Sequence, residues 1–485
     1  MNGPVRRLSI GLFTGFFALL LAVTWIQVIH ADALKADPRN SRPALSERGK
    51  ERGLMVTIDG TVVARSVEDP EDPRSFVREY PEGEVFAHVV GYNSFLVGSS
   101  GLENAYAQEL RSKRDLTISD LVTVILGRDL RPESLEITPD AELQRAAYAA
   151  LGDLKGGIVA LDPRTGAVLA AVSSPSFDPE SLLGGDAAAV WEGLLADPNG
   201  PLLDRATREI YPPGSSFKTV VAAAAIDTGE ADLNTEFPDP VEFPLPGSSA
   251  TISNAGGGVC NDGQSINLLQ AFVVSCNTTF ADLSIRLGAE DIGITAEALG
   301  FNTEIPFPWT VPEAAYPVDV LAEDPAALGQ SGIGERDVRA APLHMAMVAA
   351  AVANDGITPT PYLVNRIFDA DGNTVETFEP SPMGRAMAPA TAEVMVQMME
   401  RVVTEGTGRN AAVPGVRVAG KTGTSMGPEG LPNPWFIGFA PVDDPTIALA
   451  VFLEASPELG ESASGGGVAA PIAGELIRLW VERSP

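Results

Sequence analysis

Apolar and polar positions divide the chain into stretches of distinct period. From Leu8 to Ile29 no charge appears in LSIGLFTGFFALLLAVTWIQVI. At ~1.5 Å per residue this run reaches ~33 Å as a helix, enough to cross a hydrocarbon core. Arg6 and Arg7 precede it and Trp25 lies near its far end. The positive-inside rule then predicts a cytoplasmic tail over 1–7, an anchor over 8–30 and everything later outside. Ala31-Asp32-Ala33 also fits a signal-peptidase site. The run exceeds the usual ~7–15 apolar residues of a cleaved signal, so a retained anchor is expected.

Beyond the anchor the periods change. A polar connector carries Pro38, Arg39, Asn40, Ser41 and Pro43, and Leu54 to Ile58 then reads as a strand ending at the Asp59-Gly60 turn. A composition break near Arg128 to Pro139 separates a smaller segment, 31–137, from a larger one, 138–485. The larger one opens on a helical pattern, Ala141 to Leu151, with Leu143, Ala147 and Leu151 on one face. Ile158–Leu161 and Ala167–Val172 flank the turn Asp162-Pro163-Arg164-Thr165-Gly166, the mark of a hairpin. Trp435–Ala440 and Ile447–Leu453 repeat that logic around Pro441-Val442-Asp443-Asp444-Pro445. Val416-Arg417-Val418 alternates like one more strand, and a helix from about Ala470 to Val481 closes the chain, with Pro471 near its start. Five strands shared between two ends, with helices between, predict an antiparallel sheet carrying a helical insertion.

Composition narrows the chemistry. Asp and Glu number 64 against 33 Lys and Arg, a net charge of -31. Such a field repels phosphate backbones, so no nucleic-acid partner is expected. Three histidines far apart and two cysteines argue against a zinc ribbon or an iron–sulfur site, and neither metal nor cofactor is expected, although carboxylate metal sites stay formally open. Only six of the 33 basic residues are Lys. Positions that keep Lys are candidates for an amine able to lose its proton, which Arg does not do.

Two of those lysines sit in suggestive company. Tyr211-Pro212-Pro213-Gly214 leads into Ser215-Ser216-Phe217-Lys218 and the apolar run Thr219 to Ile226. Pro-Gly-Ser marks a helix start, and Lys218, one turn on, shares the face of Ser215. Ser needs a base, and Lys serves if burial lowers its pKa from ~10.4 toward ~7–8. Alone, the pattern also describes a capping Ser beside a solvated Lys. Gly420-Lys421-Thr422-Gly423-Thr424 forms the second group, with an amine and hydroxyls suited to a carboxylate and a glycine that admits a peptide backbone. Gly415 to Thr422 also satisfies the phosphate-loop pattern G-x-x-x-x-G-K-[ST]. That motif needs a helix directly after the loop, which Ser425 to Gly430 does not allow. Ser275-Cys276-Asn277 makes the third group, at a break between the helical patterns Leu268–Val274 and Thr278–Leu287. A second Ser-x-Asn, Ser265-Ile266-Asn267, reads equally as helix capping.

Ser-x-x-Lys, Ser-x-Asn and Lys-Thr-Gly in this order are the set of penicillin-binding proteins and class A β-lactamases. The chain resembles the class B penicillin-binding proteins, especially the short penicillin-binding protein A type of actinobacteria. Gly101-Leu102-Glu103, Ala160 to Gly166, Arg205-Ala206 and Trp435 to Pro441 extend the likeness along most of its length. The resemblance implies an α/β (α+β) transpeptidase fold like that of serine β-lactamases, with a five-stranded antiparallel sheet, helices on both faces and a helical subdomain over 138–485. It further implies a smaller β-rich, pedestal- or dimerisation-like domain over 31–137. The implied activity is a peptidoglycan D,D-transpeptidase that cross-links stem peptides and is trapped by β-lactams, in the service of division or elongation proteins such as a glycosyltransferase.

By the same resemblance Ser215 is the nucleophile, Lys218 its base and Ser275 a proton relay. Asn277 orients the peptide, Lys421, Thr422, Gly423 and Thr424 bind the substrate, and the N–H groups of Ser215 and Thr424 form the oxyanion hole. Asp204 and Pro434 depart from the family's usual Asn and Ala. About 100 residues between anchor and catalytic region leave no room for a glycosyltransferase domain. No E-x-x-L-N match lies between Asn277 and Lys421, where a class A lactamase carries its deacylating base. A D,D-carboxypeptidase or a β-lactamase with the same nucleophile, and a non-catalytic β-lactam-binding scaffold of the division machinery, are the alternatives. In an oxidising compartment Cys260 and Cys276 are expected to pair, the alternative being two reduced buried residues.

Overall fold

The computed structural model describes residues 3–30, 49–70, 72, 75–111, 131–427 and 430–483. The polar connector and Ala31-Asp32-Ala33 lie outside the described residues. Two compact units are distinguished, Met1–Glu51 with Val67–Val77, and Arg52–Ser66 with Arg78–Pro485. The first holds the helix Gly3–Thr24, which has a mean hydropathy of 1.8, buries none of its residues and is long and apolar enough to cross a membrane.

In the second unit, a five-stranded antiparallel sheet runs in the order Ala419–Met426, Pro432–Ala440, Ile447–Leu453, Gly156–Leu161, Val168–Ser174. The two predicted hairpins thus meet at the pairing of Ile447–Leu453 with Gly156–Leu161, with Ala450 opposite Val159. Apart from the first strand, every residue of these strands is buried. Alternate positions feed two cores. Val159, Leu161, Ile437, Phe439, Ala448 and Ala450 join one, and Ile158, Ala160, Phe436, Ala440, Leu449 and Val451 join the other. A sheet covered on both faces explains why these strands read as continuous apolar runs. The helix Pro342–Ala353, buried from Pro342 to Val352, packs on the first face. Ala141–Leu151 and the closing helix Ala470–Arg483, entered through a π-helical turn at Gly465–Ala469, cover the second.

One predicted strand is misplaced. Val413 and Val416 close a tight turn through Pro414 and Gly415, whose φ is 79°, so the alternation at Val416–Val418 is no ladder. Pairing starts at Ala419, opposite Phe439, and the Lys421 group lies within the strand itself. The next regular element among the described residues is the paired strand Pro432–Ala440 rather than an α-helix, which removes the phosphate-loop reading.

A second sheet sets Thr374–Thr377, Val364–Phe368, Ser134–Ile137, Met55–Thr57 and Val62–Glu68 side by side, with Met55–Thr57 and Ser134–Ile137 parallel. Two of its strands therefore come from far beyond the composition break. Beside it, Glu103 is fully buried and takes Arg52 Nη2 and Arg78 Nε, each at 2.6 Å, and Tyr80 Oη at 3.1 Å. Burial alone would raise the Glu103 pKa, but the two guanidiniums outweigh it and hold the carboxyl below its usual range.

Candidate active site

Ser215 lies in a 3₁₀ turn, Gly214–Phe217, that feeds the helix Lys218–Thr228, rather than in the α-helix proper. Pro212 and Pro213 stiffen the approach, and Gly214, with φ 53°, supplies the turn. The turn presses on the edge strand. A Cβ on Gly214 would lie 2.6 Å from the Thr424 carbonyl oxygen, and one on Gly423 would lie 2.7 Å from the Pro213 oxygen. Ser425 Oγ donates to the Pro212 carbonyl at 2.7 Å and fastens strand to turn. The glycines permit this approach, which leaves Ser215 half-buried beside the Lys-Thr-Gly strand.

The Ser275 group sits where the chain breaks between the helices Leu268–Val273 and Asn277–Leu287. Ser275 is held at φ 63°, an uncommon conformation for a residue with a side chain. Its position is fixed from both sides. Cys276 is bonded to Cys260, and Asp239 accepts the N–H groups of Cys260 and Asn261, each at 2.7 Å, and of Gly263 at 3.0 Å. Asn254 Oδ1 accepts the N–H groups of Asn277 at 2.9 Å and Thr278 at 3.1 Å and so caps the second helix. The other Ser-x-Asn copy does what capping requires, since Asn267 accepts from Gln270 N.

Three groups far apart in sequence meet here. Lys218 Nζ donates to Asn277 Oδ1 at 2.7 Å, to the Ser275 carbonyl at 2.8 Å and to Ser275 Oγ at 3.3 Å. Lys421 Nζ donates to the same Ser275 Oγ at 2.8 Å and to the Thr422 carbonyl at 2.9 Å. Both amines are completely buried, over the rings of Phe280 and Phe272 respectively, at 5.5 Å each. No carboxylate is among these contacts. Burial, then the charge of Lys421, drives the Lys218 pKa well below its usual value. Burial brings Lys421 down to about 7. An uncharged amine at Lys218 can take a proton, and Ser275 Oγ joins it to the second amine.

Thr422 and Thr424 behave differently. Thr422 is buried and shares a hydrogen bond with Thr407 Oγ1 at 2.5 Å, whereas Thr424 is exposed and accepts from Gly465 N at 3.1 Å. Asn254, Asp239, Thr407 and Glu335 belong to the site or its supports and were not singled out in the sequence. Single polar residues in loops carry no period that would mark them.

Residues 156–478 match the penicillin binding protein transpeptidase domain, and 52–135 match the penicillin binding protein A dimerisation domain. The peptidoglycan D,D-transpeptidase PbpA of Mycolicibacterium smegmatis is 40% identical over 97% of both chains. Its namesake from Mycobacterium tuberculosis is 38% identical over the full length of both. The penicillin G acyl-enzyme complex of penicillin-binding protein A from M. tuberculosis superposes with a TM-score of 0.80 at 36% identity, covering 89% of this chain and 100% of that one.

Proposed function

The chain belongs to the penicillin-binding transpeptidase family, and from that membership we propose that it is a membrane-anchored peptidoglycan D,D-transpeptidase working through a Ser215 acyl-enzyme. The convergence of the Lys218 and Lys421 amines on one Ser275 hydroxyl carries the reading.

Ser215 Oγ attacks the carbonyl carbon of the penultimate D-Ala while neutral Lys218 receives the hydroxyl proton. The oxyanion forms against the N–H groups of Ser215 and Thr424. As the C–N bond breaks, the proton passes through Ser275 to the departing D-Ala amine. A neighbouring stem's amine then attacks the ester, giving up its proton along the same path, and Ser215 Oγ is regenerated. Lys421 and Thr424 hold the terminal carboxylate of the donor, and Asn277 orients its peptide. A β-lactam presents a carbonyl in the same place, strained by its four-membered ring, but keeps its leaving amine tethered, so it stays on Ser215.

The helix Gly3–Thr24 anchors the chain with the short tail inside and the catalytic domain, taken as 138–485, outside. Segment 31–137 is the face offered to division or elongation proteins such as a glycosyltransferase. The test is covalent labelling by a fluorescent penicillin of the native protein and of Ser215→Ala. A stable adduct that requires Ser215 supports the reading. Rapid release of opened antibiotic, or an adduct elsewhere, refutes it.

A further inference from the structure

Glu335 has no part in the chemistry above, yet it stands between the Ser215 turn and the end of the Lys-Thr-Gly strand. The chain reaches it through Gly334, whose carbonyl accepts from Gly214 N at 3.0 Å. A Cβ on Gly334 would lie 2.0 Å from the Gly214 oxygen, so only glycine brings the two backbones this close. The next residue is thereby set beside the turn that carries Ser215. Glu335 Oε1 accepts the N–H of Met426 at 3.2 Å, and the side chain is half-buried. Among the described residues no cation comes within ion-pair distance of it. Arg339, whose charge acts on it, donates to the carbonyls of Arg336 and Val338. Burial raises the Glu335 carboxyl to about 7, the condition of an acid short of a partner.

The strand's register says what would pass this carboxylate. Backbone N–H groups two residues apart on a strand point the same way, so those of Thr424 and Met426 share the free edge. A donor peptide with its terminal carboxylate at Lys421 and its scissile carbonyl at Thr424 N–H runs antiparallel to the strand. Its upstream residues therefore proceed toward Met426, about 7 Å farther along. We infer that Glu335 is a specificity residue that pairs with an ammonium group on the side chain of the residue preceding D-Ala-D-Ala in the donor stem. This rests on the proposed orientation of substrate at Ser215 and deepens it, because it names a cationic, amine-bearing donor as the preferred substrate.

The test compares D-Ala release by the full-length protein from Nα-acetyl-Lys-D-Ala-D-Ala and from the same peptide with its ε-amine acetylated. The native protein should favour the free amine by about tenfold in kcat/KM, as befits one charge-assisted hydrogen bond. Glu335→Gln keeps an acceptor for Met426 N–H and should bring the ratio close to one. Glu335→Lys should turn the preference toward the acetylated peptide. A native ratio near one, or an unchanged ratio in Glu335→Gln, overturns the inference. Penicillin labelling of the native protein separates the two layers. Absence of an adduct at Ser215 sinks the site reading, whereas an adduct with undiminished discrimination in Glu335→Gln sinks only the role of Glu335.

Discussion

Replacing Lys218 by Met tests the site at its least replaceable atom. The two side chains are similarly long and unbranched, so the change removes an amine and little volume. Three contacts go with it, to Asn277 Oδ1, the Ser275 carbonyl and Ser275 Oγ. Losing a positioned general base costs ~10²–10⁴ in rate, about 3–5 kcal/mol in the barrier. Stability should move much less. Each lost hydrogen bond costs ~1 kcal/mol or somewhat more where its acceptor stays buried. Against this stands a linkage gain. The folded-state pKa of Lys218 lies below its unfolded value, so the unfolded chain binds the extra proton at neutral pH, and native Lys218 costs stability there. That cost vanishes in the Met variant. Rates of fluorescent-penicillin adduct formation and thermal melts of the same preparations measure both. A labelling rate within tenfold of native, in a protein whose melt shifts by only a few degrees, would refute Lys218 as the base.

Asn254→Ala should lose the cap on Asn277–Leu287, about 1–2 kcal/mol by thermal melt. Because that cap also sets Ser275 and Asn277, labelling should slow by about tenfold, and a melt shift with unaltered labelling would deny the coupling. His344 is fully buried, with Nε2 unpartnered and its pKa lowered by burial to about 4 from 6.5. Its neutral form therefore supports the fold fully above pH 6.5, and that support is lost as pH falls toward 4, to a total of about 3 kcal/mol. The difference in melting temperature between the native protein and His344→Gln should change over that interval and stay constant above it.

What was legible in the sequence follows from what carries a period or a rare combination. Both hairpins, the helix Ala141–Leu151 and the closing helix were visible because each buries a regular face. The Val416–Val418 misreading shows the limit, since two valines packed in a turn alternate as a strand does. The Val364–Phe368 and Thr374–Thr377 strands join a sheet begun some 300 residues earlier, and no local signal encodes so distant a pairing. Lys218, Ser275, Asn277 and Lys421 stood out through the order of three short motifs. Glu335 and Asn254 did not, because each matters through the backbone group it happens to face.

The two buried lysines pose a problem that their arrangement resolves. Both amines bond to Ser275 Oγ, and two ammonium groups so close in an apolar site oppose one another strongly. At most one proton is therefore held comfortably by the pair. Lys421, whose pKa lies near 7, is the one that keeps it more easily, since burial and the neighbouring charge both act on Lys218. A carboxylate arriving at Lys421 favours its ammonium form, and the charge so fixed opposes protonation of Lys218. In the mechanism proposed above, substrate binding thus reinforces the neutral amine assigned as the base for Ser215. A ligand that lacks the carboxylate fills the cleft without that effect. On the proposed mechanism, a terminal carboxylate should therefore be distinguished in the rate of acylation as well as in affinity.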